Sequence, residues 1–263
     1  MKFKIFQIDA FTKKPFAGNP AAVVPLKEWL DDAVMQAIAA ENNLSETAFF
    51  VPNGDAFQLR WFTPKVEVKL CGHATLAASF VLFNELGYDQ DEIIFNTLSG
   101  KLVVTNNAGL LTLDFPSHKP EPCGTPPLVE QAIGIKPLEC LKNIDYVLVF
   151  ENEDVVNNIL PNHALIKKID ARGVIVTAPA KDYDFVARFF AAASGIDEDP
   201  VTGSAYTKLV PYWAEKLGKK SFKARQVSQR GGDLMLELKD GRVLIAGYAV
   251  KYLEGTIEIS VNH

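Results

Sequence analysis

Cys71-Gly72-His73-Ala74-Thr75 opens a run that ends at Leu86-Gly87, and its reading decides the fold. The pattern is a strand end, a glycine turn and then a helix. Of the fourteen residues from His73 to Leu86, nine are apolar, and they fall on every side of a 3.6-residue wheel. A helix apolar all round is enclosed by the rest of its domain. Gly87 stands where a C-cap glycine belongs. The spacing predicts a buried helix whose N-terminus, at Gly72 and His73, points beyond the strand ends.

The stretch has an echo. Gly203-Ser204-Ala205 begins a second run that ends at Leu217-Gly218. Adding 131 carries Gly72 to Gly203, Gly87 to Gly218, Gly100 to Gly231 and Glu67 to Glu198. Glycines at turn positions in one fixed register predict a duplicated unit. Pro211 inside the second run removes a backbone hydrogen bond and is expected to bend that helix.

The 263 residues suffice for one large or two medium domains. Net charge is −5 with no basic cluster, which argues against a nucleic-acid partner. The three cysteines have irregular spacing and no CxxC pair, so spacing suggests neither a disulfide frame nor a zinc site. Lys2 to Asp9 reads as a strand rather than a signal peptide. No run approaches the ~18 apolar residues of a membrane span. A cytoplasmic protein with no membrane partner is the expectation.

Along the chain, strands are expected at Lys2–Ile8, Ala21–Val24, Thr47–Val51 and Phe57–Phe62, with a turn at residues 16–20. Asp31 is placed to cap a helix closed by Asn42-Asn43. Further strands follow the buried helix near residues 92–97, 102–105 and 110–115. The proline-rich stretch Pro116–Pro127 reads as a linker. Later strands are expected at 146–150, 174–177, 222–227, 234–238, 243–252 and 256–259. The fold class is therefore α+β: two similar domains, residues 1–117 and 118–263, each a mainly antiparallel sheet around one helix. Residues 254–263 are expected to return to the first domain, and a cleft is expected between the two.

Glu46 is the only charge between Glu41 and Asp55, and it enters a strand of Ala, Phe and Val. Desolvation among apolar neighbours suits a carboxylate to general-base work. The alternative is a glutamate at an exposed strand end. His73 sits at a helix N-terminus, where the dipole favours a neutral, hydrogen-bonding ring; the alternative is a capping or packing histidine. Amides near Gly72 and Gly203 form helix ends able to bind an anion, which suits a substrate carboxylate. Asp199 is favoured before the second helix by the dipole alone, and Ser204 fits an N-cap. Cys71 reads either as a reactive thiol or as a small buried residue.

Asn19-Pro20 in FAGNPAAVV, Glu46 in NLSETAFF, His73 in LCGHATLAA, and Asp199 with Ser204 in DEDPVTGSA resemble the PhzF-like phenazine-biosynthesis family. Gln226 to Gly232 (QVSQRGG) resembles its C-terminal half, so the likeness runs over nearly the whole chain. The resemblance implies the diaminopimelate-epimerase-like fold with two pseudo-symmetric domains, a homodimer, and no metal or organic cofactor. It implies an isomerase acting on a small carboxylate such as trans-2,3-dihydro-3-hydroxyanthranilate. Glu46 would take and return the proton. His73, Asp199 and Ser204 would hold substrate and assist, with Gly72 and Gly203 amides nearby and Asn19 in substrate binding. Related epimerases oppose two cysteines. Here Cys71 occupies the first place and no cysteine follows Cys140, so a two-thiol mechanism is unavailable. A non-catalytic binding homologue and an epimerase without paired thiols are the alternatives.

Overall fold

The computed structural model describes residues 1–259; residues 260–263, the tail of the expected C-terminal return, lie outside the described residues. The described residues form two compact units, residues 1–114 with 246–259, and residues 115–245.

In the first unit, strand β1 (Lys2–Ala10) pairs antiparallel with β2 (Asn19–Pro25). Helix α1 (Asp32–Asn42) ends on Asn43, whose left-handed φ of 48° closes it as the paired asparagines suggested. Asp31 stands at its N-cap but makes no side-chain cap bond. β3 (Glu46–Asn53) runs parallel to β2, placing Glu46 beside Ala21, and antiparallel to β4 (Ala56–Phe62). The short strand β5 (Glu67–Val68) leads into helix α2 (Gly72–Glu85). β6 (Glu92–Thr97), β7 (Gly100–Asn107) and β8 (Leu110–Pro116) form an antiparallel meander.

The expectation for α2 holds. Gly72 through Ser79, Val81 and Leu82 are all buried, so the helix is enclosed as its all-round apolar pattern requires. Gly87 takes φ +69° just past its end, where nothing crowds a Cβ, so its role is conformational. The strand Ala249–Glu258 pairs with the whole of β1. The return to this unit therefore begins at Ala246, earlier than residue 254.

Two sequence expectations need correction. Residues 243–252 are not one strand: they divide into Arg242–Gly247 and Ala249–Glu258, the latter absorbing the strand expected at 256–259. The break has a cause. A Cβ on Gly247 would sit 2.4 Å from the Phe11 ring, and the Tyr248 carbonyl accepts from the Thr12 amide instead of a ladder partner. The Pro116–Pro127 stretch is not wholly a linker, because Glu121–Pro122 pairs with Glu139–Lys142.

The second unit repeats the plan around its own helix, Gly203–Leu217, which continues through Pro211 and ends on Gly218 at φ +64°. Strands Val174–Pro179 and Phe185–Ala191 pair antiparallel, and Ser221–Gln226 pairs antiparallel with Gly232–Lys239. Three short helices, Pro127–Ile133, Glu153–Asn158 and His163–Ile166, add Val129, Val156 and Ile166 to a core with Leu148, Val176 and Phe190. Asn152 and Asn162 cap the last two by accepting from Val155 and Leu165 amides.

The duplication shows in side chains as well as glycines. Arg60 forks onto Glu67 at 2.7 and 2.8 Å, with its guanidinium 5.1 Å from the Phe62 ring centre. Arg188 forks onto Glu198 at 2.7 and 2.9 Å, 4.9 Å from the ring of Phe190. In both units a bidentate pair precedes the glycine-headed helix.

Candidate active site

Three separate segments of the first unit converge on one imidazole. Asn19 starts β2, Glu46 starts β3, and His73 lies in the first turn of α2, which packs on those strands. Because β2 and β3 are parallel, their starting residues emerge at the same edge. A tight turn positions Asn19. The Phe16 amide donates to the buried Asp9 carboxylate at 2.9 Å, and Gly18 takes φ +65°. A Cβ on Gly18 would fall 2.1 Å from the Ala10 carbonyl oxygen, so only glycine fits there.

His73 is 4% exposed, and its Nε2 lies 3.2 Å from Oε2 of Glu46. That approach is close but off the hydrogen-bond line, and Oε2 is buried with no aligned donor. Nδ1 lies 3.1 Å from the amide nitrogen of Asn19. An amide N–H donating to Nδ1 pairs with the tautomer that carries its proton on Nε2, facing Glu46; the turned amide pairs instead with Nδ1–H. Burial opposes a charged ring, but the Cys71 sulfur and the Glu46 carboxylate together outweigh it, holding the His73 pKa well above the usual histidine range. A second proton on the ring needs the Asn19 amide turned, so that its carbonyl accepts from Nδ1–H. Of the two readings of Glu46, the structure supports the enclosed one: its side chain is 12% exposed.

Cys71 caps α2 without a side-chain cap bond, and its Sγ lies 3.5 Å from His73 Nδ1. Burial, then the Glu46 charge, pushes its thiol up to about 11. It is the small buried residue rather than the low-pKa thiol. One ligand atom each from Glu46, Cys71 and His73 lies within 4.8 Å of the others, a donor set that suits a metal ion. Gly72 is buried inside this turn.

The second unit holds its own network. Asp199 ends the strand Ile196–Asp199, and its Oδ2 accepts from the Thr202 hydroxyl at 2.5 Å. Fully buried Gln226 ties the segment together, accepting from the Thr202 amide and donating to the Asp199 carbonyl. Thr202, not Ser204, is the N-cap residue of the helix that starts at Gly203, and it makes no side-chain cap bond. Ser204 Oγ instead accepts from Arg172 Nη1 at 2.8 Å. Arg172 lies outside both glycine motifs. Arg172 is held by Asp145, a fully buried carboxylate that it grips through Nε and Nη2, with Lys208 Nζ 3.4 Å away. Asp145, Arg172 and Lys208 were invisible in the sequence because no spacing rule links a loop aspartate, a loop arginine and a helix-interior lysine.

A pair of α+β units, each built on a glycine-headed helix, places the chain in the diaminopimelate-epimerase-like fold class. The chain belongs to the phenazine biosynthesis-like protein (PhzC/PhzF) family, which it matches over residues 8–255. It is 49% identical over 259 residues to an uncharacterized isomerase of Pseudomonas aeruginosa, covering 98% of this chain and 100% of that one. The crystal structure of a PhzF-family phenazine biosynthesis protein from Enterococcus faecalis superposes with TM-score 0.96 at 45% identity, covering 98% and 100%. A predicted epimerase of Pseudomonas aeruginosa shares the fold at TM-score 0.74 and 21% identity, covering 98% and 100%. The protein is an isomerase with a two-domain α+β fold. No helix among the described residues is long and apolar enough to cross a membrane.

Proposed function

We propose that the protein moves a proton within a small carboxylic acid, of the trans-2,3-dihydro-3-hydroxyanthranilate type, with Glu46 as the base. The observation that carries this is the buried Glu46 Oε2, which faces His73 yet accepts no aligned hydrogen bond. An oxygen left unsatisfied in a buried place is a strong acceptor for whatever donor arrives. Glu46 takes a C–H proton from a carbon acidified by the conjugated acid and returns it to another carbon on the same face. One carboxylate suffices for that route, whereas inversion needs an acid on the opposite face. His73, contacted by Asn19 at Nδ1, faces the same place as Glu46 through Nε2, where it can hand a proton to the reacting group.

The roles of Asp199, Gly203 and Ser204 in holding substrate, and of the Gly72 amide, are carried by the family resemblance. The geometry of the second unit adds one point of support. Because Ser204 Oγ accepts from Arg172, its own hydroxyl proton is left to donate to a ligand oxygen. Operation without an organic cofactor, as a cytoplasmic homodimer, belongs to the same reading. The test is to incubate the protein in deuterated water with a panel of small unsaturated carboxylates and follow carbon-bound deuterium by NMR. Wash-in to one member, with a shifted double bond, is expected. A folded protein that exchanges no acid on the panel but retains a macromolecular partner would instead be a binding homologue.

A further inference from the structure

We infer that Glu46, Cys71 and His73 form a site for a thiophilic divalent cation of the zinc class, and that the cation silences the enzyme by occupying its base. Carboxylate, thiolate and imidazole are each zinc ligands, and thiolate with imidazole selects such ions over magnesium or calcium.

Distances support the assignment. Tetrahedral zinc, with bonds of ~2.0–2.1 Å to nitrogen and oxygen and ~2.3 Å to sulfur, sets ligand-to-ligand edges of ~3.3–3.6 Å. His73 Nε2 already stands 3.2 Å from Glu46 Oε2 and 4.0 Å from Cys71 Sγ, and all three donors fall within 4.8 Å. The nitrogen–oxygen edge is near its bound length. The sulfur rests nearer Nδ1, at 3.5 Å, than Nε2, so the Cys71 side chain has to swing by about 1 Å toward Nε2 and Glu46 to complete the tetrahedral edges. Nε2 is the ligating nitrogen because it faces Glu46, while Nδ1 is turned to Asn19.

Charge supports it too. A divalent cation with one thiolate, one carboxylate and a neutral imidazole is neutral overall, which a buried place tolerates far better than an unpaired charge. Coordination breaks the Cys71 S–H bond, forms a metal–sulfur bond and sends that proton to solvent. The ring proton leaves Nε2 for Nδ1, where it donates to the Asn19 carbonyl once the amide has turned. Asn19 then braces the ligating histidine from behind, as outer-shell partners do. Three protein donors leave a fourth position for water.

Metal capture does not depend on the proton-transfer reading; only the loss of turnover rests on it. Chelator-stripped protein is titrated with cobalt(II) alone and then zinc. The expectation is one cobalt per chain with a cobalt–thiolate charge-transfer band, erased by zinc, and release of the Cys71 thiol proton, joined by the Nε2 proton wherever the ring starts charged. Cys71→Ser abolishes the band, and Asn19→Ala weakens binding ~10–100-fold. The Cys123→Ser/Cys140→Ser protein controls for the other thiols, whose sulfurs lie 3.5 Å apart, and it keeps the band. Absence of any band, its persistence in Cys71→Ser, or its loss from the Cys123→Ser/Cys140→Ser protein with native circular dichroism overturns the site. Should Cys71→Ser fail to fold, Glu46→Gln and His73→Gln serve in its place, and unchanged affinity in both likewise overturns it.

Discussion

Nε2 of His73 stands 3.2 Å from Oε2 of Glu46, and the same ring is held from behind by Asn19. The three residues come from positions 19, 46 and 73, and the parallel pairing of β2 with β3 brings them to one edge. The ring orientation, and so the donor offered to Glu46, depends on the Asn19 amide.

Asn19→Ala removes the amide partner of Nδ1 and leaves that buried nitrogen only the weak Cys71 sulfur at 3.5 Å, a loss of ~1–3 kcal/mol in stability. The two ring nitrogens of His73 then exchange their proton more freely. At a pH above the raised ring pKa, where His73 is neutral, nitrogen-15 NMR of the imidazole should shift from a single Nε2–H form toward a mixture. An unchanged tautomer would show that Asn19 does not set it.

Gly18→Ala and Gly87→Ala separate strain from collision. Both glycines have positive φ, but only Gly18 is crowded, with the Ala10 carbonyl 2.1 Å from the new Cβ. Gly87→Ala should lose the ~1–2 kcal/mol of a left-handed residue. Gly18→Ala should lose clearly more, and should displace Asn19 and lower turnover. Equal urea midpoints would contradict the role given to the residue 16–18 turn.

Arg172→Ala leaves Asp145 buried with Lys208 as its remaining close cation. Breaking a buried pair in this way destabilises by ~3–5 kcal/mol; the lower end is expected, since Lys208 stays and Arg172 is about one third exposed. Ser204→Ala should cost only about 1 kcal/mol in stability. Its effect is expected in KM. Thermal or urea unfolding of both variants decides the order.

Lys208 predicts a pH dependence of stability. Burial lowers its pKa from 10.5, and Arg172 lowers it further, against the opposing pull of Asp145. Between the lowered folded value and 10.5 the unfolded chain binds more protons than the folded one, so this group makes stability rise with pH across that window. Lys208→Met removes the effect. The wild-type midpoint should gain on the variant as pH approaches 10.5. A constant difference would contradict the assignment.

The buried helix and its echo were legible because nine apolar residues on all faces leave no solvent side, and because φ-positive glycines recur in one register. Glu46 was legible as an isolated charge in an apolar strand. The three short helices were not, since each is about one or two turns long and relies on core contacts or an asparagine cap rather than on an apolar stripe. The metal-competent donor set was hidden for a related reason. Zinc motifs are read from close cysteine and histidine spacings, whereas here Glu46 reaches Cys71 and His73 from another strand. Cys123 and Cys140 meet in the same way, seventeen residues apart, where Cys123 follows the strand that pairs with Glu139–Lys142. Arg172 and Asp145 escaped because a buried pair between loops leaves no periodic trace.

The central claim is that Glu46 carries the proton. Glu46→Gln keeps the shape of the side chain and removes the base. Once deuterium wash-in has identified a substrate, exchange in Glu46→Gln should fall by at least ~10²–10⁴-fold. Ligand binding should weaken far less, and Cys71→Ser should exchange at close to the wild-type rate. Wild-type exchange in Glu46→Gln would contradict the account, and loss of exchange in Cys71→Ser alone would move the chemistry to the thiol.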